Sequence, residues 1–270
     1  MATIAVLCDP PRAGLVLADL AARTPLSPAE AATLYGAALG DVLAAAEASG
    51  SDLLVNYRPD DALPDGRAGD TEDDAGDPDV DGDEASAESE VRAVAREALD
   101  EPGAARYEVQ VGSTRMERVG NTVTYLLESE GETSVALAEP TAPFLSRGDL
   151  DGAAMKLRRS PIVLGPATRG RVYYAGFTNP VDFADADTTR ALGSLTERAV
   201  AAGHEVDYLS MSPLLETRAD LVTALALLDA RQRAGRAIPA RTAAALDEFG
   251  LGLDARDGEP ELTRGETDRA

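Results

Sequence analysis

The stretch that most constrains this chain runs from Thr3 to Tyr57. Thr3-Ile4-Ala5-Val6-Leu7 is a short β-prone run, apolar on successive residues rather than on alternate ones, as a strand buried on both faces requires. Ser27-Pro28-Ala29-Glu30 then combines an N-cap serine, a proline at the first helical position and a glutamate three residues on, which predicts a helix to about Ser49. Leu53 to Tyr57 supplies a second strand. Strand, helix and strand in that order favour a parallel sheet, so the expected class is α/β, Rossmann-like and mostly parallel.

A second pair of strands is expected around Ser160 to Phe177. Ile162-Val163-Leu164 is broken by Gly165-Pro166, and Val172, Tyr173, Tyr174 and Phe177 resume a β-prone segment after Gly170. The loop between them can approach a ligand closely, but Thr168, Arg169 and Arg171 bring no carboxylate for a divalent metal. Further strands are expected at Arg106 to Val111, Thr133 to Ala138 and His204 to Ser210. Helices are expected at Glu88 to Leu99, Thr122 to Glu128, Gly148 to Arg159, Asp187 to Ala202, Thr217 to Arg233 and Ala240 to Phe249. One domain is expected over 1–249, with a frayed polar tail over 250–270.

Residues 59–90 hold fourteen Asp or Glu against Arg67 alone, the composition of a disordered acidic insertion. Within it, Asp77 to Glu88 has the acid spacing and the glycine, Gly82, of a calcium loop. Position eight of that loop is Glu84 instead of an apolar residue, and no amphipathic helix precedes it. Solvation is the competing role.

The formal charge is −23, and Lys156 is the only lysine. That balance disfavours nucleic acid and anionic membranes as partners, and acid excess with Arg in place of Lys resembles the proteins of extreme halophiles. With no run of eighteen apolar residues and no basic leader, the expected location is cytoplasmic. Cys8, alone of its kind, belongs to an apolar strand and reads as a small buried hydrophobe. His204 has no second histidine or cysteine with which to share a metal.

Several stretches, in order, resemble the glycosyltransferase-A-type family of glycosyltransferase-like and radical-SAM/selenodomain-associated transferases, relatives of the nucleotidyltransferases. The family's Pro-x-x-Gly-x-Val-Lys-Thr-Arg-Leu loop corresponds to Pro11 through Gly14 to Leu20, with Leu17, Ala18 and Asp19 where the family carries its phosphate-gripping residues. Leu26-Ser27 through Leu34-Tyr35 matches the following helix. Gln110 and Arg115-Met116 resemble a Gln…Arg-Met stretch. The family's metal-binding Asp falls on Thr141, two residues beyond Glu139. Gly165 to Gly176 matches a Gly-Pro-Ala-x-Asp-Gly-Gly-Tyr-Tyr-Leu-x-Gly hairpin, retaining Gly165, Pro166 and Gly170 but with Arg169 for its Asp and Arg171 for a Gly. Leu214 to Leu221 resembles Asp-Val-Asp-Thr-x-x-Asp-Leu, with Glu216 at the second metal ligand.

The resemblance implies a nucleotide-diphospho-sugar transferase fold with a pocket for a nucleotide-sugar or phosphate ligand. Arg12, Gly14, Gln110, Arg115, Gly165, Pro166, Arg169, Gly170 and Arg171 are its candidate substrate-binding residues. Glu139 and Glu216 are its candidate ligands for Mg²⁺ or Mn²⁺, and no catalytic residue is assigned. Because the phosphate cations and one metal carboxylate are replaced, the expected function is a non-catalytic, degenerate relative that keeps a scaffold or ligand-binding role, with a protein partner as one candidate. The alternatives are an active metal-dependent transferase using a nucleotide-activated sugar, and a calcium-responsive module at residues 77–88.

Overall fold

A computed structural model describes residues 2–64, 85–183, 190–256 and 259–265. Strand β1 (Ala2–Cys8) pairs in parallel with β2 (Asp52–Tyr57) on one side and with β4 (Ser134–Ala138) on the other. Beyond β2 lies β3 (Arg106–Val109), also parallel. On the far side, β5 (Ile162–Pro166) and β6 (Val172–Phe177) form an antiparallel pair that inserts β6 against β4, and β7 (Val206–Tyr208) adds in parallel to β5. The sheet order is β3-β2-β1-β4-β6-β5-β7. The chain first builds outward from β1 in one direction and then returns to its other side, so the switch point lies between β1 and β4, where open α/β sheets bind their ligands.

Local signals explain most of the helices. The short α1 (Ala18–Arg23) leads into α2 (Pro28–Ala48), which starts at the expected capping box: Ser27 Oγ accepts from the Glu30 amide, and the Glu30 carboxylate accepts from the Ser27 amide. Leu39 and Leu43 of α2 pack against the sheet, whereas Leu34 and Ala38 join a separate cluster with Leu221, Leu225 and Phe249. A helix buried on two sides has no single apolar stripe. Helix α3 (Ala87–Ala98) covers β2, and α4 (Arg115–Thr124) continues into a π-helical turn at Tyr125–Ser129. The sequence expectation starts this helix at Thr122, seven residues late, because it does not use the Thr114…Glu117 capping box. Helices α5 (Arg147–Leu157), α6 (Ala191–Ala201), α7 (Arg218–Arg233) and α8 (Ala240–Glu248) complete the helical set.

Two expectations change. Leu251–Arg256 (β8) and Glu259–Arg264 (β9) pair as an antiparallel hairpin where a frayed tail was expected. Its Leu251, Leu253 and Leu262 pack into the α7–α8 cluster, and Arg264 pairs with Glu30. The ends of the acidic segment are also structured: Asp60 lies in a short 3₁₀ turn and Glu88 and Glu90 in α3. Most of the calcium-type spacing, Asp77 to Glu84, lies outside the described residues. Its twelfth position, Glu88, accepts from Arg92 at 2.7 Å and from the Tyr57 hydroxyl at 2.9 Å. Among the described residues no helix is long and apolar enough to cross a membrane.

Candidate functional site

A cavity of about 520 Å³ opens at the switch point. Its floor comes from the C-terminal ends of β1 (Leu7, Asp9) and β4 (Leu137, Glu139), the first turn of α4 (Arg115, Met116) and the start of β6 (Arg171, Val172). The loop after β1 closes one wall with Leu15, Val16 and Leu17, and the segment before α7 adds Leu214 and Glu216.

Most charged side chains on the floor are paired with one another, and Asp9 pairs with Arg58 beside it. Arg115 forms a tight ion pair with Glu139, their side chains 40% and 28% exposed. Arg171 is half-buried and engaged at every nitrogen. Its Nη1 donates to Glu216 at 2.6 Å, its Nη2 to both carboxylate oxygens of Asp220 at 2.7 and 2.8 Å, and its Nε to the Thr168 carbonyl at 3.1 Å. Asp220 is 1% exposed and accepts further from the Thr168 hydroxyl at 2.7 Å and from the Thr217 amide at 3.0 Å. The other oxygen of Glu216 accepts from Thr141 Oγ1 at 2.9 Å.

These environments move the ionisations in definite directions. Burial pushes the Glu139 carboxyl above the usual carboxylate range; Arg115 opposes that shift and the Glu216 charge adds to it. Arg115 is held more firmly protonated, chiefly by the charge of Glu139. Burial works against charge on both Arg171 and Asp220, but their mutual hydrogen bonds outweigh it, raising the guanidinium and lowering the carboxyl.

Two segments that the resemblance associates with metal do converge. The Leu215 amide donates to the Thr141 carbonyl at 2.8 Å, which sets Glu216 beside Thr141. The donor set does not fit a divalent cation. Both oxygens of Glu216 and both of Asp220 are already taken, a guanidinium stands between these two acids, and a dication there would face its positive charge. Among the described residues no group of three His, Cys, Asp or Glu side chains could hold a metal.

Of the expected binding residues, only Arg115 and Arg171 line the cavity, together with the expected metal ligands Glu139 and Glu216. Arg12 points elsewhere, pairing with Asp60 at 2.6 Å and Glu90 at 2.9 Å, so it anchors the start of α3. Gln110 is buried and donates to the Cys8 and Asn56 carbonyls, each at 2.9 Å, tying together the ends of β1 and β2. Gly14 lies on an open loop at φ 79°. A Cβ on Gly165 would meet the Tyr173 ring at 2.7 Å, so that glycine and the neighbouring bulge at Pro166 serve the hairpin packing. Arg169 lies at φ 62°, and with Gly170 at φ 75° it makes the turn. The sequence reading missed Asp220 as the partner of Arg171. Its visible signal was the Thr217…Asp220 capping box, which is formed and accounts for only part of its bonding.

No protein-family model matches the chain, and no curated protein matches it. Solved structures do. The fold is that of the nucleotide-diphospho-sugar transferases, an α/β fold with a mostly parallel seven-stranded sheet. A candidate nucleotide-diphospho-sugar transferase from Desulfovibrio desulfuricans G20 aligns with 92% of this chain and 94% of its own at 20% identity and a TM-score of 0.66. The 4-diphosphocytidyl-2C-methyl-D-erythritol synthase of Anaerococcus prevotii DSM 20548 aligns with 84% of this chain and 98% of its own, at 12% identity and a TM-score of 0.47. The 2-C-methyl-D-erythritol 4-phosphate cytidylyltransferase of Thermus thermophilus covers 85% of this chain and 100% of its own, at 18% identity and a TM-score of 0.40. The first of these likenesses, at 20% identity, shows the fold alone.

Proposed function

We propose that this chain is a ligand-binding protein built on the nucleotide-diphospho-sugar transferase fold, without metal-dependent transfer chemistry. The observation that carries the reading is Arg171: its guanidinium occupies the space between Glu216 and Asp220 and pairs with both. A fixed monocation has the hydrogen-bonding partners that a hydrated dication would otherwise need. Transfer of a nucleotidyl or sugar group relies on a cation to offset phosphate charge in the transition state, and each nitrogen of Arg171 is already held by Glu216, Asp220 or Thr168.

A second reading, an active transferase for nucleotide-activated sugars, draws support from Glu139 and Glu216 lining one cavity. A thermal-shift series separates the two. Uridine, guanosine and cytidine nucleotides and their sugar conjugates are tested with and without Mg²⁺ or Mn²⁺. A ligand at a hundred times its dissociation constant adds about 2.7 kcal/mol. The expected result is no stabilisation that depends on metal. Metal-dependent stabilisation by one nucleotide class, lost in Glu216→Ala, overturns the proposal.

A further inference from the structure

The cavity's polar and apolar surfaces together indicate what it would hold, given the ligand-binding role proposed above. Its walls are mainly hydrocarbon: Leu7, Leu15, Leu17, Met116, Leu137 and Leu195 all face it. Leu15 and Leu17 belong to the loop after β1, and their residues are packed against the core. Leu17 sits at φ 50°, a left-handed conformation that is unfavourable for a residue other than glycine. The fold keeps this leucine in place despite that cost, with its side chain forming cavity wall.

The floor is charged but compensated. Every nitrogen of Arg171 is bonded within the protein, and two carboxylates share that one guanidinium. An incoming phosphate therefore finds no unengaged nitrogen on Arg171 and meets Glu216 and Glu139 beside it, while the other lining acids, Asp9 and Asp19, are held by Arg58 and Arg23. The Arg115–Glu139 pair uses one nitrogen and one carboxylate oxygen for its mutual bond, and both side chains keep exposed surface. It can offer a donor and an acceptor side by side. A charged ligand of either sign would break this compensation or lose solvation against hydrocarbon walls.

We infer that the cavity binds an uncharged, mainly apolar small molecule bearing one hydrogen-bonding head group, which the Arg115–Glu139 pair would grip, and not a nucleotide. A volume of about 520 Å³ is within the range of small-molecule sites.

The test uses the uncharged fluorophore 1-N-phenylnaphthylamine with the full chain, followed by competition from three molecules of equal chain length: 1-octanol, octanoate and octylammonium. Saturable fluorescence enhancement is expected, displaced by octanol at concentrations roughly tenfold or more below those needed for either ion, since each ion must shed hydration without a partner. Leu17→Gln and Met116→Gln, both half-buried wall positions, should each weaken the probe's binding severalfold with the circular dichroism spectrum unchanged. Absence of saturable binding overturns the inference, as does octanoate competing as well as octanol, or wall variants that bind the probe like the parent. Displacement by uridine diphosphate without metal also overturns it while leaving the non-catalytic reading intact. Displacement by uridine diphosphate only with Mg²⁺ or Mn²⁺ sinks both.

Discussion

Arg171 and Asp220, separated by 49 residues in sequence, form a closed pair in which Nη2 reaches both carboxylate oxygens at 2.7 and 2.8 Å. The acid is 1% exposed and the arginine side chain 14%, so neither charge has much water to fall back on. Breaking such a pair by removing one partner leaves a buried charge uncompensated.

Asp220→Ala should therefore lower stability by about 3–5 kcal/mol in urea unfolding. Asp220→Asn keeps the shape and an acceptor for the Thr217 amide, and should cost less. In Arg171→Met with Asp220→Leu, the combined loss should fall well short of the sum of the two single losses. Additive losses would show that the two side chains do not interact.

Two of the carboxyls held below their ordinary range, Glu30 and Asp220, test the pH dependence. Glu30 is lowered to about 2, chiefly by its hydrogen bond from Arg264, and Asp220 is lowered by Arg171 against the pull of burial. A carboxyl whose folded pKa is depressed binds its proton more readily when unfolded, so its contribution is complete above the unfolded pKa and is lost as pH falls towards the folded one. Their contribution to the urea midpoint should be complete from pH 7 to about 5 and be lost between about 4.5 and 2 as these groups take up protons, whereas Glu139, whose carboxyl is raised by burial, works in the opposite sense. Glu30→Gln should flatten part of that loss. An unchanged slope would mean that the Arg264 pair contributes nothing.

Gly165 and Gly14 should respond differently to alanine. At Gly165 the new Cβ would lie 2.7 to 2.9 Å from Tyr173 and Tyr174, so the hairpin must shift, at a cost of about 1–3 kcal/mol. At Gly14 nothing lies within 4 Å, and only the φ of 79° is penalised, at about 1 kcal/mol. Thermal melts of the two variants give the comparison; equal losses would contradict the packing at Gly165.

Truncation after Phe249 should lower the melting temperature measurably. It removes the β8–β9 hairpin, exposing the face against which Leu251, Leu253 and Leu262 pack and releasing the Glu30–Arg264 pair. Each fully buried leucine contributes about 1.5–3 kcal/mol, and Leu253 and Leu262 are only partly buried, so a loss of about 2–4 kcal/mol is expected. A truncated chain that melts with the full one would restore the expectation of a frayed tail.

The parts of the fold legible in sequence carried local signals. The Ser27…Glu30 capping box marked the start of α2, the apolar runs at Thr3 and Leu53 marked paired parallel strands, and Gly170 marked the β5–β6 turn, whereas Gly165-Pro166, expected to break β5, belongs to it as a bulge. The α4 start is equally legible, at Thr114…Glu117, although the apolar pattern draws attention to the later residues. The C-terminal hairpin was not legible: Leu251 to Arg264 is polar and glycine-bearing, and its strands are held by each other and by the α7–α8 cluster. Of the candidate site, only the shared position of four residues was legible. Arg115, Arg171, Glu139 and Glu216 do share one cavity, but Arg12 and Gln110 were drawn to partners that no spacing rule reveals.

Sequence alone determined the elements whose causes lie within a few residues: helix starts, apolar strands, turns at glycine, and a chain whose pocket loop carries Leu17, Ala18 and Asp19. Only the tertiary structure decided what the site's charges face. Crossing from β1 to β2 and then back to β4 opened the cavity, and the β5–β6 hairpin set Arg171 beside Glu216 and Asp220. Cation and carboxylate along a chain look like separate ligand-binding groups. Brought within hydrogen-bonding distance in a poorly solvated place, they neutralise each other first, because each is the strongest partner the other can find there.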